Sequence, residues 1–179
     1  MESVGFKEWA LVCEALGRGE QTIILRKGGI AEGRAGFSFK HPEFFLFPTF
    51  FHEQVVKVRN GAAGIPAQRA GEIEIKYFAR LEETRVITDL ECALALEPLH
   101  VLAADVVRER FEYDEAPGIH AAVLRVFRLA EPWVFPDAPK YGGCRSWVTL
   151  PGFSEAISMA PVLPDEEHAA RCEAFAALW

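Results

Sequence analysis

The sequence has few cysteines, and none sits in a pattern that carries chemistry by itself. Cys13, Cys92, Cys144 and Cys172 lie far apart and form no CxxC pair, so no disulfide framework or zinc-ribbon spacing is written in them and a reduced cytoplasm is the expected compartment. Long apolar runs are missing as well. No stretch approaches the roughly 20 residues that a bilayer demands, and the opening "MESVGFKEWALVCEAL" threads charges through its apolar residues, unlike a secretory leader. A soluble chain without a membrane partner is expected. Positive charge is also in deficit: the net charge is −7, which excludes a surface uniformly coated for nucleic acid but leaves room for a local basic groove. GxxxxGK[ST], GxGxxG, HExxH and the acidic helix of Nudix hydrolases are all absent. There is no internal repeat and no low-complexity tract.

What is present suits one packed domain. The chain has 179 residues, half of them hydrophobic, enough for a sizeable core. Phe6, Trp9, Cys13 and Leu16 recur at helical spacing and predict a helix over 4–16, with Gly17 as its C-terminal cap. "QTIILRK" predicts a strand buried on both faces, running into the double glycine of "RKGGI". "FFLFP" predicts a second buried strand, ended by Pro48. "FFHEQVVKVRN" suits a helix or an extended edge, and "NGAAGIP" marks a connection.

The second half is better patterned. "EIEIKYFARL" alternates as a half-buried strand. In "TDLECALAL", Thr88 followed by Glu91 predicts a capping box that opens a short helix, and "ADVVRERF" predicts another. "HAAVLRVFRL" reads as a strand, "AEPWVFPDAPKYGGCRSWVTLPG" as a long loop, and "PDEEHAARCEAFAALW" as a terminal helix with acids at its N-terminus. The expected fold class is α+β: a single compact mixed domain over 1–179 with a β-rich centre and flanking helices. A small N-terminal subdomain over 1–60, a connection over 60–71 and a C-terminal part over 72–179 are the divisions that composition allows. The element order from Glu72 to Val134 is loosely similar to the small β-barrel of PUA-type domains, which implies binding of RNA or modified bases.

"FKEWALVCEALGRGEQTIILRKGGIAEG", "FFLFPTFFHEQ", "HVLAADVVRERFEY" and "LRVFRLAEPWVF" followed by "YGGCRSW" stand in the order and spacing of the DUF1802 family of bacterial and archaeal proteins. The chain resembles that family up to about Leu150. The family has no assigned biochemical function, and the resemblance supplies no catalytic residue. Some members look as though they are linked to a restriction-endonuclease-like domain, which implies a role around nucleic acid, in restriction-modification or defence.

Chemistry nominates the candidate sites. Arg26 and Lys27 precede Gly28 and Gly29, where cations and free backbone amides can hold a phosphate. In "HPEFFLFPTFFHE", His41 and His52 bracket five phenylalanines; the histidines suit a metal or a cleft, an exposed ring suits a stacked base, and core packing accounts for most of the density. In "YGGCRSW", Arg145 can contact a phosphate and lower the pKa of Cys144, with Trp147 alongside. "EIK" at Glu74 to Lys76 fits half of a nuclease motif but lies on the polar face of an alternating strand. Two readings follow. The first is a non-catalytic module binding nucleic acid or a nucleotide through Arg26, Lys27, Gly28, Gly29, His41, His52, Cys144, Arg145 and Trp147. The second is a small hydrolase or transferase using Cys144 or a His41/His52 metal site. The acidic terminal helix and Trp179 suit a protein partner; the sequence names no cofactor.

Overall fold

Two long antiparallel strands form the spine. In the computed structural model, which describes residues 3–27, 37–59, 64–154 and 157–179, β4 (Glu72–Ile87) keeps its expected alternation, with Ile73, Ile75, Tyr77 and Ala79 buried. Beside it, β5 (Ile119–Pro136) runs on through "EPWVF", which its prolines had marked as loop. Trp133 and Phe135 are buried opposite Ile75 and Ile73, so packing overrides the local punctuation.

Among the described residues the sheet is seven-stranded and orders β2 (Ile23–Arg26), β5, β4, β3 (Glu43–Thr49), β1 (Val4–Trp9) and β6 (Trp147–Thr149), while β7 (Met159–Pro161) pairs with β5. Only β1 and β3 run parallel. Strands from before residue 60 and after residue 72 share this sheet, and the chain is a mixed α+β single domain. Among the described residues no ladder joins β2 to β6, so the sheet is open between these edges and its likeness to the small PUA-type barrel is loose. The two edges approach through side chains instead, with Arg26 Nη2 donating to Ser146 Oγ at 3.1 Å.

The phenylalanine-rich stretch is explained by two cores. On β3, Phe44 and Leu46 enter the main core, while Phe45 and Phe47 enter a second cluster with Ile75, Trp133 and Phe135. A strand buried on both faces needs no polar alternation. Pro48 does not end β3. The β4 ladder stops at Phe45, so Pro48 has no β4 partner for the amide hydrogen it lacks.

The predicted N-terminal helix is in fact a strand followed by a helix, β1 and then α1 (Ala10–Gly17). Phe6 and Trp9 belong to a strand pairing with β3 and β6, and their spacing to Cys13 and Leu16 imitates a helical stripe across the junction. Gly17 serves close packing instead of capping: a Cβ there would fall 2.0 Å from Tyr77 Cζ. Gly19, with φ of +72°, makes the left-handed turn. The start of α2 (Leu90–Ala95) is displaced by one residue, because Asp89, not Thr88, accepts from the Cys92 amide at 2.9 Å. The "ADVVRERF" and terminal helices appear as α3 (Ala104–Phe111) and α4 (Asp165–Ala176). Trp179 is partly covered by its own chain, 5.8 Å from Phe175 and 5.1 Å from the Arg85 guanidinium. No described helix is long and apolar enough to cross a membrane.

His100 makes stability depend on pH. Its Nδ1 accepts from the Leu102 amide at 3.1 Å, and Nε2 is buried without a partner among the described residues. Burial first, then the Arg59 and Arg110 cations, push its pKa down from 6.5 to about 4. Between those values the unfolded chain binds the proton and the folded chain does not, so stability falls as pH drops. Unfolding followed from pH 7 to pH 4 should show a loss of up to roughly 3 kcal/mol from this group. The His100→Asn variant keeps an acceptor near the Leu102 amide and should flatten that part of the profile; an unchanged profile would contradict the assignment.

Candidate functional site

Because side chains alternate along a strand, Lys7 and Trp9 share one face of β1 and Phe6 and Glu8 the other. Lys7 and Trp9 line a cavity of about 390 Å³ that also receives Arg26 and Lys27 from the end of β2, Arg110 from α3, and Gly143 to Arg145 from the loop before β6. The cleft therefore lies where the open sheet brings its two edge strands near one another. Among the described residues its lining contains six cations, Lys7, Arg26, Lys27, Lys57, Arg110 and Arg145, against a single carboxylate, Glu109. This is a local basic surface on an acidic chain.

Three of these cations have carboxylate neighbours within the chain. Lys27 Nζ lies 3.0 Å from Asp114, and Lys57 Nζ lies 3.4 Å from Glu109. Arg110 donates to the Leu25 carbonyl at 2.6 Å, sits 4.4 Å above the Trp9 ring and is 3.9 Å from the buried Glu8. Lys7, Arg26 and Arg145 form no ion pair among the described residues. Lys7 is aimed by the carbonyls of Gly142 and Gly143, which accept from its Nζ at 3.2 and 3.0 Å. Burial lowers its pKa from the usual lysine value; Cys144 opposes the shift and Arg145 adds to it. Arg26 stands 5.7 Å over the Phe6 ring, which fixes its direction. The wall is aromatic: Trp9 meets Phe51 edge-on at 5.2 Å, and Tyr113 is 57% exposed.

Of the residues nominated from sequence, Arg26, Lys27, Cys144 and Arg145 meet in this cleft. Trp147 does not line it. It is half-buried against Phe6 and Phe44, and the half-buried His41 packs edge-on to it at 4.8 Å. His52 is exposed in a 3-10 turn next to Phe51. Gly28 and Gly29 lie outside the described residues. Neither His41 nor His52 joins a trio of donor side chains among the described residues. Cys144 is exposed, but among the described residues no histidine lines the cleft to serve as its base. The nuclease-like "EIK" is structural: Lys76 pairs with Glu14 at 2.9 Å and Glu74 lies 3.7 Å from Arg69. Sequence reasoning missed Lys7 and Trp9, whose period-two spacing was hidden by the helix assignment, and Lys57, Arg110 and Tyr113, which carry no local signal.

The model of the family described as a domain of unknown function, DUF1802, matches residues 5–174. No curated protein matches the chain. Among solved structures, the chain is similar to ASCH from Zymomonas mobilis, at 13% identity and a TM-score of 0.50, covering 96% of this chain and 94% of that one. A point mutant of the same protein gives 12% identity, a TM-score of 0.50 and the same coverage. At such identities the likeness shows an ASCH-like fold and nothing finer.

Proposed function

We propose that this chain, which belongs to the DUF1802 family, is a nucleic-acid-binding module whose cleft takes one nucleotide unit of a single strand. The phosphate faces Arg26, Arg145 and Lys7, and the base stacks beside Trp9, Phe51 or Tyr113. The observation that carries this reading is the convergence of three cations without carboxylate partners among the described residues on one aromatic-walled cleft. In a chain of net charge −7, keeping cations unneutralised in a concave site costs self-repulsion that an anionic ligand offsets. The cavity's 390 Å³ falls within the ~300 to 1,000 Å³ usual for ligand sites, and stacking of a base on an aromatic ring contributes about 1 to 3 kcal/mol. On this reading, the role around nucleic acid that the family resemblance implies, in restriction-modification or defence, is one of recognition and not of cleavage.

The test is fluorescence anisotropy of labelled single- and double-stranded DNA and RNA at several salt concentrations, with a mononucleotide as competitor. Single strands should bind with an affinity that falls steadily as salt rises. Absence of binding at low salt would sink the reading. Competition by the mononucleotide at equal affinity would restrict the ligand to a free nucleotide.

A further inference from the structure

Among residues that do not line the cleft, α4 packs against β5 and reaches β4 through His168. His168 and Cys172 are one helical turn apart on α4 and so share a face. Across from them is Glu82. Pairing between β4 and β5 shifts register between Leu81 and Glu83, which leaves Glu82 without a partner in the ladder. Irregularities of this kind re-aim side chains, and Glu82 is aimed at α4. Its Oε2 is 2.9 Å from His168 Nε2, Cys172 Sγ is 3.4 Å from the same nitrogen, and Sγ to Oε2 is 3.6 Å.

We infer that Glu82, His168 and Cys172 form a three-ligand site for a divalent metal ion of the zinc class. Donors held at zinc's usual bond lengths and tetrahedral angles stand about 3.3 to 3.6 Å apart. The three atoms here form a triangle of nearly that size, so an ion can be seated above it with sub-ångström adjustment. Imidazole, thiolate and carboxylate together are a zinc-type donor set, softer than magnesium or calcium sites use. His168 is buried, Cys172 is half-buried and Glu82 is exposed, which leaves the fourth coordination position on the solvent side. This is the pattern of sites that keep a water or an exchangeable ligand. The trio is the only group of three or more such donors among the described residues.

The same geometry disfavours Cys172 as a nucleophile. Burial first and then Glu82 push its thiol up to about 11, so at neutral pH it carries its proton. On metal binding the sulfur–hydrogen bond is exchanged for a sulfur–metal bond and the proton passes to solvent. The ion would join α4 to β4 through two ligands from the helix and one from the strand. Stability of the terminal helix thereby becomes linked to metal supply.

The test uses the reduced, full-length protein and added zinc or cobalt. One equivalent of cobalt should bind and give a thiolate-to-metal charge-transfer band in the near ultraviolet. Zinc should displace it, and both the band and the uptake should be lost in Cys172→Ser and His168→Gln. A second measurement needs no variant: zinc should protect Cys172 from alkylation at least tenfold, as mapped by mass spectrometry, while Cys144 stays reactive. Absence of the band, uptake that survives both variants, or equal alkylation of Cys172 with and without zinc would overturn the site.

Discussion

Replacing Arg26 and Arg145 together by alanine lowers the affinity for a single-stranded oligonucleotide by at least about a hundredfold. Each guanidinium is placed to bond a phosphate, and a hydrogen bond to a charged group contributes about 1.5 to 3 kcal/mol, so two such losses exceed the roughly 2.7 kcal/mol of a hundredfold change. The salt dependence changes too. Each neutralised phosphate contributes ~0.7 to the slope of log affinity against log salt for single strands, and both arginines face one phosphate, so the double variant lowers the slope by up to about 0.7. Neither arginine holds the core: Arg26 reaches Ser146 by one hydrogen bond, and Arg145 forms no ion pair among the described residues. The folded state should therefore persist. Arg85→Ala is the matched control, because Arg85 pairs with Glu83 and covers Trp179 away from the cleft. Equal affinity and slope in the double variant and the control would remove phosphate recognition from this site.

Phe6→Ala destabilises the fold by roughly 3 to 5 kcal/mol, a large share of the ~5 to 15 kcal/mol that a domain possesses. Phe6 is fully buried and lies at the meeting point of Phe37, Phe39, Phe44 and Trp147, with ring centroids at 6.2, 5.7, 5.5 and 4.8 Å. Truncation removes the ring's transfer energy and leaves a cavity, because four neighbours anchored on three segments, 37–39, β3 and β6, cannot all collapse into it. The effect reaches the cleft, since the Arg26 guanidinium rests over the Phe6 ring. Urea unfolding checks the magnitude. A loss below about 1 kcal/mol would mean the aromatic cluster is packed more loosely than its distances state.

Much of the scaffold can be read from the chain, for reasons specific to each element. β4 declares itself because Ile73, Ile75, Tyr77 and Ala79 alternate with polar residues over a half-buried face. β2 is short but dense in β-branched residues and bounded by turn signals. β1 is illegible because its identity comes from pairing with β3 and β6, which lie about 40 and 140 residues away along the chain. The extension of β5 through Pro132 is likewise decided by Ile73 and Ile75 across the ladder. Half of the basic cleft was visible in "LRKGG" and "GGCRSW", since clustered cations beside glycines are a local pattern. Their meeting was not, because it depends on the sheet bringing β2 and β6 near each other without joining them. The Glu82, His168 and Cys172 trio is half legible as an i, i+4 pair on α4. Its third member is supplied by a register shift that no sequence pattern announces.

The central claim, that the ligand lies in the cleft beside Trp9, is tested most directly by photo-crosslinking a thiouridine-bearing single strand to the protein and mapping the modified peptides. The account predicts crosslinks on peptides containing Trp9, Phe51 or Tyr113, suppressed by salt and by the double arginine variant. Crosslinks confined instead to the apolar pocket of Phe45, Phe78 and Phe153 near the second core, or none at low salt, would contradict it.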